Sequence, residues 1–111
     1  MTINQDINRI TEAIKKAVPT ERIYLFGSYA YGTPRENSDY DFYLVIPDGI
    51  MRPIRAIQEA RRAIFPLRLN MPIDVLASTS SNFEYMRDTI NCVEKEVAQK
   101  GVLLLPVVRR F

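Results

Sequence analysis

Residues Leu25 to Ile46 read LFGSYAYGTPRENSDYDFYLVI. An apolar run ends in Gly27-Ser28, a segment of turn-forming residues follows, and a second apolar run opens with Asp39-Tyr40-Asp41. Side chains alternate faces along a strand. Asp39 and Asp41 therefore share one face with their Cα atoms roughly 6–7 Å apart, and Tyr40 and Phe42 face the other way, where a helix can cover them. A charge taken out of water without a partner is costly, so a cation between the two carboxylates is the simplest reason for them. Mg²⁺ takes oxygen ligands at about 2.0–2.1 Å and usually keeps water or a substrate phosphate in its other positions. By itself, such a pair equally describes two solvated acids at a strand end.

Two further features bear on that choice. Gly27-Ser28 directly follows a buried run, and Ser28 to Gly32 has room for a short helical turn. A small residue there lets a phosphate approach the backbone, where the Ser28 hydroxyl and the turn amides can bond its oxygens; alone, Gly-Ser is an ordinary turn. Asp74 stands in MPIDVLA between Ile73 and Val75. Asp is a poor strand former, so its place in a β pattern asks for a reason. It is either an ion-pair partner of an arginine, Arg68 being nearest in sequence, or a third acid beside Asp39 and Asp41 if its strand lies next to theirs. Three carboxylates beside a phosphate-binding turn make a site for metal-assisted nucleotidyl transfer. The chain has no histidine, so a carboxylate must take the proton from an acceptor hydroxyl; Asp74 is the candidate base.

Outward from this core, Ile3, Ile7, Ile10, Ile14 and Val18 mark one face of a helix closed by Pro19. Arg22–Phe26 reads as a short strand and Asp39–Ile46 as the next. Ile50, Ile54, Ile57 and Ile64 predict a helix over roughly 51–65, and Met71–Ala77 predicts a third strand. STSSN supplies N-cap residues for a long helix with the stripe Phe83, Met86, Ile90, Val93 and Val97, ending at Gly101; VLLLP predicts a last strand. Helices alternating with strands predict an α/β (α+β) fold, a small mixed β-sheet covered by helices.

The 111 residues suit one domain, residues 1–111. A net charge of +2 gives no argument for nucleic acid or a membrane. One cysteine and no histidine exclude an internal disulfide and leave no ordinary set of zinc ligands. Without a signal peptide or a membrane-length apolar run, cytoplasm is the default location.

Gly27-Ser28, ten intervening residues, then Asp39-x-Asp41, with Asp74 where a third acid is expected, resembles the signature of the DNA polymerase β-type nucleotidyltransferase superfamily. The length resembles its minimal nucleotidyltransferase branch. The resemblance covers about Ile23 to Ala77. It implies Mg²⁺-dependent transfer of AMP from ATP, with Asp39, Asp41 and Asp74 as catalytic and metal-binding acids and Gly27 and Ser28 as nucleotide-binding residues. It also implies an antitoxin role toward a HEPN-domain RNase, modified on a tyrosine. One position departs: relatives read Gly-Ser-x-Ala-Arg-Gly, but Tyr31 stands in the arginine's place, which passes any triphosphate contact to a neighbour such as Arg35.

The remaining features read as structural. Arg52, Arg55, Arg61, Arg62 and Arg68 are accompanied by glutamates and read as a solvated helix face rather than a surface for an acidic partner or RNA. Cys92 reads as packing. The terminal VVRRF contacts a partner or continues a sheet edge. Two rival functions remain: adenylylation of a small hydroxyl compound such as an aminoglycoside, and neutralisation of a toxin by binding alone. Homo-oligomers fit any of the three.

Overall fold

The computed structural model describes residues 3–32, 39–89 and 92–105. Arg35, Ile90 and the VVRRF tail, each assigned a role above, lie outside the described residues. Strand β1 (Arg22–Phe26), β2 (Tyr40–Ile46), β3 (Ile73–Thr79) and β4 (Val102–Leu105) form one mixed sheet in the order β3-β2-β1-β4. β1 pairs antiparallel with β2 and β4, and β2 pairs parallel with β3. The mixed sheet covered by helices is the expected fold.

Helix α1 (Ile3–Ala17) and helix α3 (Pro53–Ile64) cover one face. Ile7, Ile10, Ile14 and Val18 are buried against Ile23, Leu25, Tyr40, Phe42, Leu44 and Ile46. α3 is the crossover that a parallel β2–β3 pair requires. It differs from its expected pattern: Ile50 and Ile54 are exposed, at 59% and 57%, and the buried stripe is Ala56, Ala60 and Ile64. Small side chains let α3 approach closely, whereas Ile50 precedes the helix and Ile54 lies in its first turn, facing solvent.

Helix α4 (Ser80–Met86) and helix α5 (Val93–Lys100) cover the other face. Thr79 caps α4, accepting from the Asn82 amide at 3.4 Å. The expected single helix is thus two. On a straight helix Phe83 and Val97 would stand about 21 Å apart, yet both are fully buried in one cluster with Tyr24, Tyr43 and Val45. A break lets both reach the same patch. At the break the Thr89 amide donates to the Met86 carbonyl at 2.9 Å, and the Cys92 thiol donates to that same carbonyl at 2.9 Å.

The second core is tied to its helices by polar contacts. The Tyr43 hydroxyl donates to Glu94 at 2.8 Å and lies 2.8 Å from the Ser78 hydroxyl. Arg22 pairs with Glu84 at 2.7 Å, with its guanidinium 5.0 Å from the Phe83 ring centroid. Tyr24 stacks on Phe83 at 5.7 Å. These contacts fasten α4 and α5 over the Tyr43–Val45 end of β2 and leave the Asp41 end partly open.

Candidate active site

The odd-numbered residues of β2 face α4 and α5, so Asp41 points the same way as Tyr43 and Val45. In the parallel β2–β3 ladder Asp41 is the Cα partner of Asp74. Asp39 lies just before β2 and completes the cluster: one carboxylate oxygen from each of Asp39, Asp41 and Asp74 lies within 4.8 Å of the others. The structure thus brings together the three acids expected from the sequence. Asp74 faces Asp39 and Asp41 instead of Arg68.

The electrostatics fit a cation. Partial burial, then the charges of Asp74 and Asp39, push the Asp41 carboxyl up to about 6. Asp39 is also raised, by desolvation first and then by a hydrogen bond and the charge of Asp74. Carboxylates share a hydrogen bond only when one holds a proton, so without a cation the cluster relieves its repulsion by taking up a proton. Three oxygen donors, with no imidazole or thiolate among them, suit a hard ion such as Mg²⁺.

Gly27 adjoins this cluster. Its φ of 77° and ψ of −162° lie in a region essentially confined to glycine. A β-carbon there would overlap the Asp41 carboxylate oxygen Oδ2. The glycine therefore makes room for Asp41 itself, a role the sequence alone did not reveal, since register is needed to see that Phe26 pairs with Asp41 and brings the next residue, Gly27, against it. Ser28 opens the short helix α2 (Ser28–Tyr31), and the Ala30 amide donates to the Gly27 carbonyl at 3.0 Å. Tyr29 anchors this turn: its ring packs on Tyr40 at 4.7 Å and its hydroxyl lies 3.8 Å from the Met71 sulfur. Tyr40, on the opposite side of β2 from the acids, has its hydroxyl pushed up to about 12 by burial and then by the charge of Asp6.

The polymerase beta nucleotidyltransferase family model matches residues 8–103. The chain belongs to this family. Its span includes β1, β2, β3 and all three acids. A toxin–antitoxin crystal structure with AMP-PNP is 25% identical, with 86% of this chain and 69% of that one covered and a TM-score of 0.59. A mutant form of the MntA–HpeT toxin–antitoxin is 23% identical over 86% of this chain and 69% of its own, also at 0.59. A candidate nucleotidyltransferase from Sulfolobus solfataricus is 20% identical over 91% and 83%, at 0.56. The last two show the shared fold. Among curated proteins none matches the chain. No helix among the described residues is long and apolar enough to cross a membrane.

Proposed function

We propose that this chain is a minimal Mg²⁺-dependent nucleotidyltransferase that moves AMP from ATP to a tyrosine hydroxyl of a HEPN-type partner and so acts as its antitoxin. One observation carries this reading: Asp39, Asp41 and Asp74 converge beside the Gly27-Ser28 turn. The family match supports the transferase class, and the toxin–antitoxin relative with AMP-PNP supports a triphosphate and a toxin partner.

Asp39 and Asp41 hold the cation, shared with Asp74. The bound cation supplies neutralisation of triphosphate charge. The Ser28 hydroxyl and the turn amides hold phosphate oxygens, and Asp74 takes the proton from the acceptor hydroxyl. The acceptor oxygen bonds to the α-phosphorus, the bond from that phosphorus to the α,β-bridging oxygen breaks, and pyrophosphate leaves with the electron pair. Arg35 is the candidate for an additional triphosphate contact.

Incubation of the chain and a HEPN partner with ATP labelled at either the α or the γ phosphate tests this. The expected result is a partner labelled from the α position only, dependent on Mg²⁺ and lost in Asp74→Asn. Neutralisation of the partner without label supports binding alone, and label on an aminoglycoside but not on protein supports the small-molecule reading; either contradicts the proposal.

A further inference from the structure

A cavity of about 400 Å³ lies on the α1–α3 side of the sheet, at β3, which is an edge strand. Its floor is apolar: Ile64 and Val75 are buried, and Met71 and Ile73 partly so. Its rim is formed by Arg61, Phe65 and Arg68, all exposed, with Phe65 at 81%.

Three features mark the rim. Arg55 and Arg62 share Glu59 on α3, at 3.2 and 3.4 Å, whereas Arg61 and Arg68 form no ion pair with any described residue. Arg68 has φ 52° and ψ 48°, a left-handed conformation uncommon for a residue with a β-carbon. It closes the 3-10 turn Phe65–Leu67, its amide donating to the Phe65 carbonyl at 3.2 Å, and this places it at the cavity mouth. Phe65, 81% exposed, lines the same cavity as Arg61 and Arg68 and so adds apolar surface to its mouth.

We propose that this cavity docks an acidic segment of a partner protein, with an aromatic or aliphatic side chain on the apolar floor and carboxylates on Arg61 and Arg68. Planar guanidiniums suit carboxylates, and a segment running along an edge strand can add main-chain hydrogen bonds. The apolar floor favours a peptide over RNA, whose phosphates would find two unpaired cations among the described rim residues. Arg55, Arg61, Arg62 and Arg68 are exposed, as expected of a solvated face; docking gives two of them, Arg61 and Arg68, a ligand. Ile73 and Val75 flank Asp74 in β3, so an occupant lies directly behind the strand that carries the third acid. The docking site itself does not depend on the chemistry of that acid.

The test uses a fluorescein-labelled peptide with one phenylalanine between two pairs of acidic residues, measured by anisotropy against the full chain. Saturable binding is expected. Arg61→Glu and Arg68→Glu should each weaken it by at least about tenfold, the size of one charge-assisted hydrogen bond, and so should replacing the phenylalanine by alanine. Melting curves check that the variants fold. The proposal is overturned by absence of saturable binding, or by binding indifferent to both charge reversals. It is equally overturned if a uridine oligonucleotide binds more tightly with the same arginine dependence, or if the chain forms a dimer that Arg61→Glu dissolves.

Discussion

Asp41 and Asp74 sit directly opposite each other in the parallel β2–β3 ladder, on the face that α4 and α5 cover only further along. Two acids in register on neighbouring strands repel, and like charges directly opposite weaken a sheet. The fold keeps this repulsion in place, with Asp39 added to it. Relief comes from a proton or a cation, and each can be measured.

The proton comes first. The Asp41 carboxyl is raised to about 6 in the folded chain, against an ordinary value near 3.8. The folded state therefore binds more protons than the unfolded state between these values. The stability contributed by this group is fully present below about pH 4 and is lost as the pH rises through about 6. Other groups titrate as well: Asp48 is lowered by accepting hydrogen bonds from Ser81. The comparison must therefore be a difference. In chelator, Asp41→Asn should raise the melting temperature relative to wild type, and by more at pH 7.5 than at pH 4.5. An equal difference at both would remove the repulsion from this account.

Gly27 and Gly32 separate close approach from backbone conformation. Both have positive φ, but a β-carbon on Gly32 meets no described residue within 4 Å, whereas one on Gly27 overlaps Asp41. Gly32→Ala should cost about 1–2 kcal/mol of stability and leave cation binding intact. Gly27→Ala should cost more, because its conformation is essentially closed to other residues, and it should also abolish stabilisation by Mg²⁺. Melting curves with and without Mg²⁺ measure both effects. Retained Mg²⁺ stabilisation in Gly27→Ala would contradict the geometry.

How much of this was legible beforehand follows from range. The acids and the Gly-Ser turn lie within Gly27–Asp41 or in one distinctive strand, and strand alternation alone puts Asp39 and Asp41 together. Asp74 needed only the guess that its strand lay next to theirs. The overlap between Gly27 and Asp41 needed a register, which periodicity does not carry. Of the isoleucines expected to mark the α3 stripe, Ile57 and Ile64 pack on the core, whereas Ile50 and Ile54 do not; isoleucines signal burial more strongly than Ala56 and Ala60, the small residues that permit close helix packing. The break between α4 and α5 was hidden because Phe83 and Val97 fit one helical period; their shared contact with Tyr24 and Tyr43 is tertiary.

Close packing of α3 on the sheet can be tested by substitution. Ala60, on the inner face of α3, is fully buried. Ala60→Leu should destabilise the fold by about 1–3 kcal/mol through overpacking, whereas Ile54→Ala, at an exposed position, should lie within about 0.5 kcal/mol of wild type. Urea denaturation distinguishes the two, and the reverse order would restore the isoleucine stripe.

Ser28 tests the phosphate turn. Ser28→Ala should weaken ATP binding by about 1.5–3 kcal/mol, typical of one hydrogen bond to a charged group, with little change in melting temperature. Unchanged ATP affinity would leave Gly27-Ser28 as a turn that only makes room for Asp41.

The central claim is that Asp39, Asp41 and Asp74 form a divalent-cation site that binds a nucleoside triphosphate. Calorimetric titration with ATP, with Mg²⁺ and then with chelator, tests it without knowledge of the acceptor. The account predicts at least about tenfold tighter ATP binding with Mg²⁺, corresponding to about 1.4 kcal/mol, and loss of that difference in Asp39→Asn with Asp41→Asn. Equal affinity in both conditions, or a Mg²⁺ effect that survives the double substitution, would contradict it.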